Sequence, residues 1–189
     1  MTMLVDRSVI ATVTLVVAYL PTAMPQQLDP ITDPDAYAVY AAVLPRMWAN
    51  VSKDSLLLQQ ETDVSMGCRP SRSQTNGEIG WEAVENSFKA ENTHVRLLRR
   101  MLPVDIPYRL IPRADIAADD ARLALKYPGQ WQRRPESIEY AAVSAVGFNA
   151  TKTKAIVYVH LRSNGGVYWI EKRQGKWDPT PHGGCAWIA

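Results

Sequence analysis

The side chains best suited to chemistry fall on two adjacent predicted strands near the carboxyl end of the chain. The segments 153–163 and 167–173 are rich in β-branched and aromatic residues, and Asn164-Gly165 between them is typical of a hairpin turn. Because side chains alternate between the faces of a strand, one face collects residues that could line a cleft: Tyr158, His160, Arg162, Trp169 and Glu171. An imidazole and a carboxylate there could serve as general acid and base beside an aromatic wall. A solvated sheet face with cross-strand aromatic and ionic pairs has the same sequence pattern.

The pleat of this predicted hairpin indicates which residues face the core. A two-residue turn at Asn164-Gly165 pairs His160 with Trp169 and Tyr158 with Glu171, whereas a slip of one residue would turn Glu171 toward the core. We therefore expect five residues to form the core face: Val157, Val159, Leu161, Tyr168 and Ile170. A four-residue turn at 149–152 adds four residues of the preceding strand to this face: Tyr140, Ala142, Val146 and Phe148.

Helical segments precede these strands. Asp33-Pro34 is typical of a helix start, and apolar residues follow at helical spacing until Pro45, which ends or kinks the helix. Further helices are predicted over 79–90 and 114–127, and short strands over 55–61 and 108–111. Helices first and antiparallel strands last are typical of an α+β fold. We expect the N-terminal helices to pack on one face of a C-terminal antiparallel meander sheet, within a single domain of residues 24–189.

Residues 1–23 have the features of an export signal peptide. Arg7 gives a weakly positive start, and the 13 residues from Ser8 to Leu20 carry no charge. A membrane-spanning helix needs about 17–25 apolar residues, so this run has the length of a signal-peptide core. We predict cleavage after Ala23, which makes the protein exported, periplasmic or extracellular, with no stable membrane span after signal removal. An amphipathic or buried first helix and an uncleaved anchor are the alternatives.

Cys68 and Cys185 are the only cysteines, and both lie in the predicted mature chain. An even number of cysteines in an exported protein favours a disulfide, and no third thiol competes for either partner. Each cysteine lies in a segment without periodic apolar residues, so a covalent bond would anchor both. We predict a Cys68–Cys185 disulfide, with two unpaired buried thiols as the alternative.

Metal and cofactor sites are weakly indicated. The sequence His182-Gly183-Gly184-Cys185 resembles half of a metal site, but a structural zinc requires four ligands in paired short spacings. The remaining His and Cys residues are not paired with it at such spacing: His94, His160 and Cys68. The glycines more simply allow a turn that brings Cys185 to Cys68. No phosphate-binding glycine loop, metalloprotease motif or nucleophile elbow occurs, so we predict neither a metal nor a cofactor.

Charge composition bears on the class of partner. The chain has 21 Lys and Arg against 19 Asp and Glu, a net charge of +2, whereas nucleic-acid-binding domains carry a strongly basic face. We therefore expect no nucleic-acid partner. The basic run of Arg96, Arg99 and Arg100 is typical of a solvated helix face, and an acidic partner for it is the alternative.

A series of short sequences in the last third of the chain resembles a known group. Tyr127-Pro128-Gly129 is followed by three segments in order: Ser144–Asn149, Ala155–Val159 and Glu171–Trp177. This series resembles a group of uncharacterised exported bacterial proteins with a similar order of Gly-Phe-Asn, Val-Tyr-Val and Gly-x-Trp sequences. The resemblance implies a bacterial exported location, and it assigns no activity and no site residue. The Gly-x-Trp ending also resembles the last hairpin of cone-shaped nuclear-transport-factor-like domains.

Three classes of function are open at this point. The first is a non-enzymatic exported domain that binds a protein partner or a small ligand. The second is an enzyme with a cone-like pocket that uses His160 with Tyr158 or Glu171. The third is an inhibitor or immunity protein, which predicts an exposed apolar patch or a long ordered loop such as 63–77. An empty cavity of roughly several hundred Å³ beside His160 favours the enzyme, whereas a flat or filled face favours binding.

Overall fold

The computed structural model describes residues 28–49, 55–67, 70, 80–129, 138–162, 164–181 and 185–188. These ranges contain three helices and eight strands of one mixed sheet, which confirms the α+β class. In chain order the elements are α1 (Pro34–Trp48), β1 (Leu56–Gln59), α2 (Trp81–Glu91), β2 (Tyr108–Ile111), α3 (Arg113–Lys126), β3 (Ala141–Val143), β4 (Gly147–Phe148), β5 (Lys154–Leu161), β6 (Asn164–Arg173), β7 (Lys176–Pro179) and β8 (Ala186–Ile188).

The first helix begins as its sequence predicts and ends later than expected. The Asp33 carboxylate accepts a hydrogen bond from the backbone N–H of Asp35 at 3.1 Å, and a proline occupies the first helical position. The helix continues through Pro45 to Trp48, so Pro45 does not end it. The C-terminal end is still bonded, since the N–H of Ala49 donates to the carbonyl of Pro45 at 3.0 Å.

The sheet is mixed, with strand order β2-β1-β3-β5-β6-β7. Strands β3, β5, β6 and β7 are antiparallel neighbours, while β1 pairs in parallel with both β2 and β3. The two short strands lie beside longer ones, β4 on β5 and β8 on β6. Parallel pairing requires a long crossover connection, and the chain between β1 and β2 and between β2 and β3 contains a helix each time. The predicted antiparallel meander therefore describes only part of the sheet.

Helices cover both faces of the sheet, which differs from the predicted arrangement on one face. Alternate residues of β5 enter two separate hydrophobic clusters. Val157 and Val159 pack in one cluster with Tyr40 of α1, whereas Tyr158 packs in the other with Trp81 of α2. Because neighbouring residues of a strand point to opposite faces, α1 and α2 lie on opposite sides of β5. A strand buried on both faces reads as a continuous apolar run, as β5 does.

The β5–β6 hairpin differs from the predicted register. Leu161 pairs with Asn164 and His160 with Gly165, so Asn164 and Gly165 belong to β6 and the predicted turn at these residues is wrong. The partner of each β5 residue moves by four positions relative to the prediction. An even shift leaves every side chain on its predicted face. Four predicted core residues therefore lie in the α1 cluster and the fifth packs against it: Val157, Val159, Leu161, Ile170 and, at the edge, Tyr168.

Close packing explains why Gly165 lies in a strand. A Cβ atom at this position would lie 2.6 Å from the Cβ of His160 and 2.8 Å from Nε1 of Trp187. The absence of a side chain at Gly165 therefore leaves space for His160 of β5 and Trp187 of β8, the two strands that pair with β6 at this position. The turn was predicted at Gly165 for the same reason, because a residue without a side chain is also typical of turns.

The strand β3 is one residue away from its predicted register. Ala142 lies opposite His160, and Ala141 and Val143 enter the α1 cluster. Tyr140, which was expected in that core, instead lies on the opposite face with its ring 6.1 Å from the His160 ring. The one-residue shift of β3 therefore places the Tyr140 phenol next to the His160 imidazole.

Candidate functional site

Of the five predicted cleft residues, His160 lines a cavity that is formed by the described residues. All five lie on one face of β5 and β6, as the pleat predicts, but the hairpin shift and α2 separate them. His160 lies at a cavity between the sheet and α3, which we call the His160 cleft. The other four residues have structural partners.

Tyr158 and Trp169 are buried, each with 1% of its surface exposed. The Trp169 ring packs edge-on against Trp81 of α2, with centroids 5.0 Å apart. The Tyr158 hydroxyl accepts a hydrogen bond from Nε1 of Trp187 at 2.7 Å. These two predicted ligand-binding residues are therefore core residues, because α2 and β8 cover the sheet face that was expected to be open.

Arg162 and Glu171 are held in ion pairs. Arg162 pairs with Asp120 of α3, and Glu171 lies 3.5 Å from Nζ of Lys154 and also pairs with Arg173. Lys154 and Glu171 are cross-strand partners six residues along β5 from His160, a distance of about 20 Å. Glu171 is therefore too far away to act with His160, whereas Tyr158 lies beside the imidazole, with ring centroids 5.8 Å apart.

The His160 cleft has a volume of about 280 Å³. Seven of its nine lining residues are polar or charged, and they come from β1, α3, β5 and two connecting segments: Gln59, Asp63, Ser65, Arg113, Ile116, Ala117, Asp120, Tyr140 and His160. Gln59 ends β1, with Asp63 and Ser65 just after it, and Arg113 begins α3 directly after β2. The cleft thus lies at the carboxyl ends of two parallel strands, where ligands bind in many open α/β sheets.

Asp63 is a buried carboxylate fixed by its own loop. One oxygen, Oδ1, accepts hydrogen bonds from the backbone N–H of Ser65 at 2.9 Å and from its hydroxyl at 2.6 Å. The other oxygen, Oδ2, lies 3.6 Å from Nε2 of His160, which is beyond hydrogen-bond distance. Asp63 is 5% exposed, so its second oxygen is held in a partly dehydrated position that faces the imidazole.

The His160 imidazole lies among aromatic rings. Ring centroids of Tyr158, Tyr140 and Trp187 lie 5.8, 6.1 and 6.3 Å from its own. Burial lowers the pKa of His160 from its ordinary value of 6.5, against the opposing effect of Asp63. The imidazole is therefore neutral at pH 7, and it does not neutralise the carboxylate beside it.

Two hydrogen-bond donors in the cleft are available to a ligand. Burial raises the pKa of Tyr140, which keeps its hydroxyl protonated. Nη2 of Arg113 donates to the carbonyl of Thr62 at 2.9 Å, and the Arg113 backbone N–H donates to a carboxylate oxygen of Glu61 at 2.8 Å. Within the described ranges, the Arg113 guanidinium has no carboxylate at ion-pair distance.

The lowered pKa of His160 predicts a pH dependence of stability. Below about pH 6.5 the unfolded chain takes up a proton that the buried imidazole resists, so the free energy of unfolding falls as the pH decreases. We expect the melting temperature to fall between about pH 7.5 and about pH 5.5, and to fall less in His160→Gln. Differential scanning fluorimetry at each pH measures both profiles. His94→Gln, at an exposed position, is the control, and parallel wild-type and His160→Gln profiles would contradict the assignment.

The arrangement favours non-covalent binding over nucleophilic catalysis. A catalytic serine is commonly activated by an imidazole base within hydrogen-bond distance of its hydroxyl. The Ser65 hydroxyl donates to Asp63 and is not paired with His160. The cleft instead combines a neutral imidazole, a phenol, a guanidinium and a carboxylate, which are the donors and acceptors that orient a small bound molecule.

Metal ligation was not expected from the sequence. Among the residues that the structure describes, no group of three or more His, Cys, Asp or Glu side chains is arranged to hold a metal ion. His182 of the suggested half-site, and Cys68, one of the remaining candidate ligands, lie outside the described residues.

Most of the residues that line the His160 cleft were not predicted from the sequence as site residues. Asp63 was placed in a loop and Arg113 was left just before a predicted helix. The available signal was their position, since each follows a predicted strand directly at its carboxyl end. That signal becomes informative only when the two strands are known to be parallel neighbours.

Comparisons of the chain with protein-family models, with curated proteins and with solved structures each gave no match. The function proposed below therefore rests on the geometry of the His160 cleft.

Proposed function

We propose that this protein is an exported domain that binds a small polar ligand non-covalently in the His160 cleft. One observation carries the proposal: a cavity of about 280 Å³ is lined by polar side chains, and Asp63 Oδ2, the Tyr140 hydroxyl and most donors of the Arg113 guanidinium form no hydrogen bond in the described part of the chain. Its volume is near the lower end of the range of ligand pockets, which favours a ligand smaller than a typical cofactor.

The polar lining supports ligand binding over a purely structural role. Asp63 and Tyr140 both line the cleft, and neither Asp63 Oδ2 nor the Tyr140 hydroxyl forms a hydrogen bond in the described part of the chain. Both atoms can therefore pair with a bound molecule.

A variant that fills the cleft tests this proposal. Ala117 lines the cleft, and Ala118 is the next residue of α3 and does not line it; both are exposed. We expect a metabolite library to raise the melting temperature of the wild type with at least one compound, an effect lost in Ala117→Phe and retained in Ala118→Phe. If Ala117→Phe binds the same compound with unchanged affinity, the ligand does not occupy this cleft.

Catalysis by His160 is the second candidate. The observation that favours it is the buried Asp63 carboxylate beside the imidazole, an arrangement that can orient a general base. The cleft also opens next to His160, as the enzyme hypothesis requires.

His160→Ala separates the two candidates. We expect any reaction found for this protein to change by no more than a few-fold, because the imidazole contributes to binding and not to proton transfer. A general acid or base contributes about 10²–10⁴-fold. A loss of kcat of that size in a variant whose circular dichroism spectrum matches the wild type would establish His160 as catalytic instead.

Export is part of the proposal and rests on the first 23 residues, which lie outside the described ranges. Within those ranges, no helix is both long enough and apolar enough to cross a membrane. We expect the intact mass of protein recovered from the envelope or medium of its native host to correspond to a chain that begins at Met24. A mature mass that still includes residues 1–23 would contradict cleavage.

The third hypothesis, an inhibitor or immunity protein, has less support. It predicts an exposed apolar patch, and in the described part of the chain the exposed large hydrophobic side chains are Met101 and Leu125. Single exposed hydrophobic residues are ordinary in soluble domains. Most of the loop 63–77 lies outside the described residues.

A further inference from the structure

We infer that the His160 cleft binds a small zwitterion, with the ammonium group of the ligand facing Asp63 and its carboxylate facing Arg113. The inference rests on the proposed function, since it names the class of ligand for the same cleft. It follows from two opposite charges that face one cavity and are not paired with each other.

The buried Asp63 carboxylate would be stabilised by a cation. Asp63 is almost completely buried, and a buried charge is costly unless it is paired and hydrogen-bonded. Its Oδ1 has two donors from Ser65, but in the described part of the chain the basic group at ion-pair distance from Oδ2 is the His160 imidazole. Because that imidazole is neutral at pH 7, an ammonium group of a ligand would supply the missing positive charge.

The Arg113 guanidinium is suited to bind an anion. Arg113 is exposed at the first position of α3, and its side chain is anchored through a single hydrogen bond to the carbonyl of Thr62. A guanidinium binds a carboxylate through two parallel hydrogen bonds, so most of its donors are suited to a ligand. The partial positive charge at the start of a helix adds to this preference.

A ligand in the cleft has to pair with the charges of Asp63 and Arg113 at the same time. Asp63, Arg113 and His160 line the same cavity, and Asp63 Oδ2 lies 3.6 Å from Nε2 of the imidazole. A free anion in the cleft would be repelled by Asp63, and a free cation by Arg113. Asp120 also lines the cleft, but Arg162 neutralises it. A molecule with both charges is therefore the complementary ligand.

A panel of small molecules with matched charges tests the inference. The zwitterions are glycine, β-alanine, 4-aminobutyrate and alanyl-alanine, which span a range of charge separations. Butyrate and butylamine each carry one of the two charges. At constant ionic strength, we expect at least one zwitterion to raise the melting temperature in a concentration-dependent way, and neither single-charge compound to do so.

Two variants assign the effect to the two charges. Arg113→Met and Asp63→Asn should each abolish the zwitterion-induced shift; the asparagine keeps the Oδ1 acceptor for Ser65. The controls Arg109→Met and Asp105→Asn change the same residue types at exposed positions outside the lining and should keep the shift. If Asp63→Asn does not fold, Arg113→Met and the single-charge compounds still decide the question.

Each contrary outcome has a distinct meaning. Equal shifts with butyrate or butylamine, or a zwitterion shift that persists in Arg113→Met, would overturn the inference. If no zwitterion binds but a library compound does, and Ala117→Phe abolishes its binding, the zwitterion inference fails and the proposed function stands. If no compound binds in the cleft, both fail.

Discussion

Reduction of the Cys68–Cys185 disulfide should lower the free energy of unfolding by about 2–5 kcal/mol, a loss typical of native disulfides. The bond would close a loop of about 117 residues, for which chain entropy alone gives about 4–5 kcal/mol. Cys68 lies outside the described residues, so the bond remains a prediction. Its support comes from the residues that flank the two cysteines.

The flanking residues meet at one hydroxyl group. The N–H of Gly67, the residue before Cys68, lies 3.3 Å from the Tyr158 hydroxyl, and Trp187 donates to the same hydroxyl at 2.7 Å. A Cβ atom at Gly67 would lie 2.9 Å from Nε1 of Trp187, so the backbone of residue 67 packs directly on this indole. Since Trp187 is two residues after Cys185, Gly67 lies beside the segment that carries Cys185.

Urea unfolding with and without reductant measures the expected loss. The double variant Cys68→Ala/Cys185→Ala should match the reduced wild type and should not respond to reductant, which controls for other effects of the reagent. The sheet and helices keep their own clusters, so the far-ultraviolet circular dichroism spectrum of the reduced protein should stay unchanged. Labelling of two free thiols in the unreduced, unfolded protein would rule the disulfide out.

Gly147→Ala should destabilise the protein by about 2–3 kcal/mol, in the range for an overpacked core. Gly147 is in β4, and a Cβ atom there would lie 2.5 Å from both Cα and Cβ of Phe88 in α2. Contact with a helix backbone cannot be relieved by rotating a side chain. In the absence of this clash the substitution would stabilise by about 0.4–1 kcal/mol, because alanine reduces the entropy of the unfolded chain.

A second strand glycine provides a graded control. A Cβ atom at Gly166 would lie 3.1 Å from the carbonyl oxygen of Cys185, so Gly166→Ala should cost clearly less. Chemical denaturation of both variants gives the two free energies. A Gly147→Ala protein as stable as the wild type would contradict the direct packing of α2 on β4, and with it the covering of the face that buries Tyr158 and Trp169.

The sequence by itself determined the positions of the three helices and the core face of the hairpin. The third helix was predicted over 114–127 and spans Arg113–Lys126, because Pro112 and Pro128-Gly129 bound it locally. The faces of Val157 and Ile170 were correct even though the turn was misplaced, because the strand period of two is preserved under an even shift. Periodicity and helix boundaries are local properties, and local sequence carries them.

Only the tertiary structure decided which residues meet in the His160 cleft. Asp63 and Arg113 are far apart in sequence and come together because β1 and β2 pair in parallel, joined by the crossover connection that contains α2. The cleft predicted on the outer sheet face was lost for the same kind of reason, since α2 covers Tyr158 and Trp169. Parallel pairing and helix docking depend on contacts between distant segments, and no periodicity within either segment specifies them.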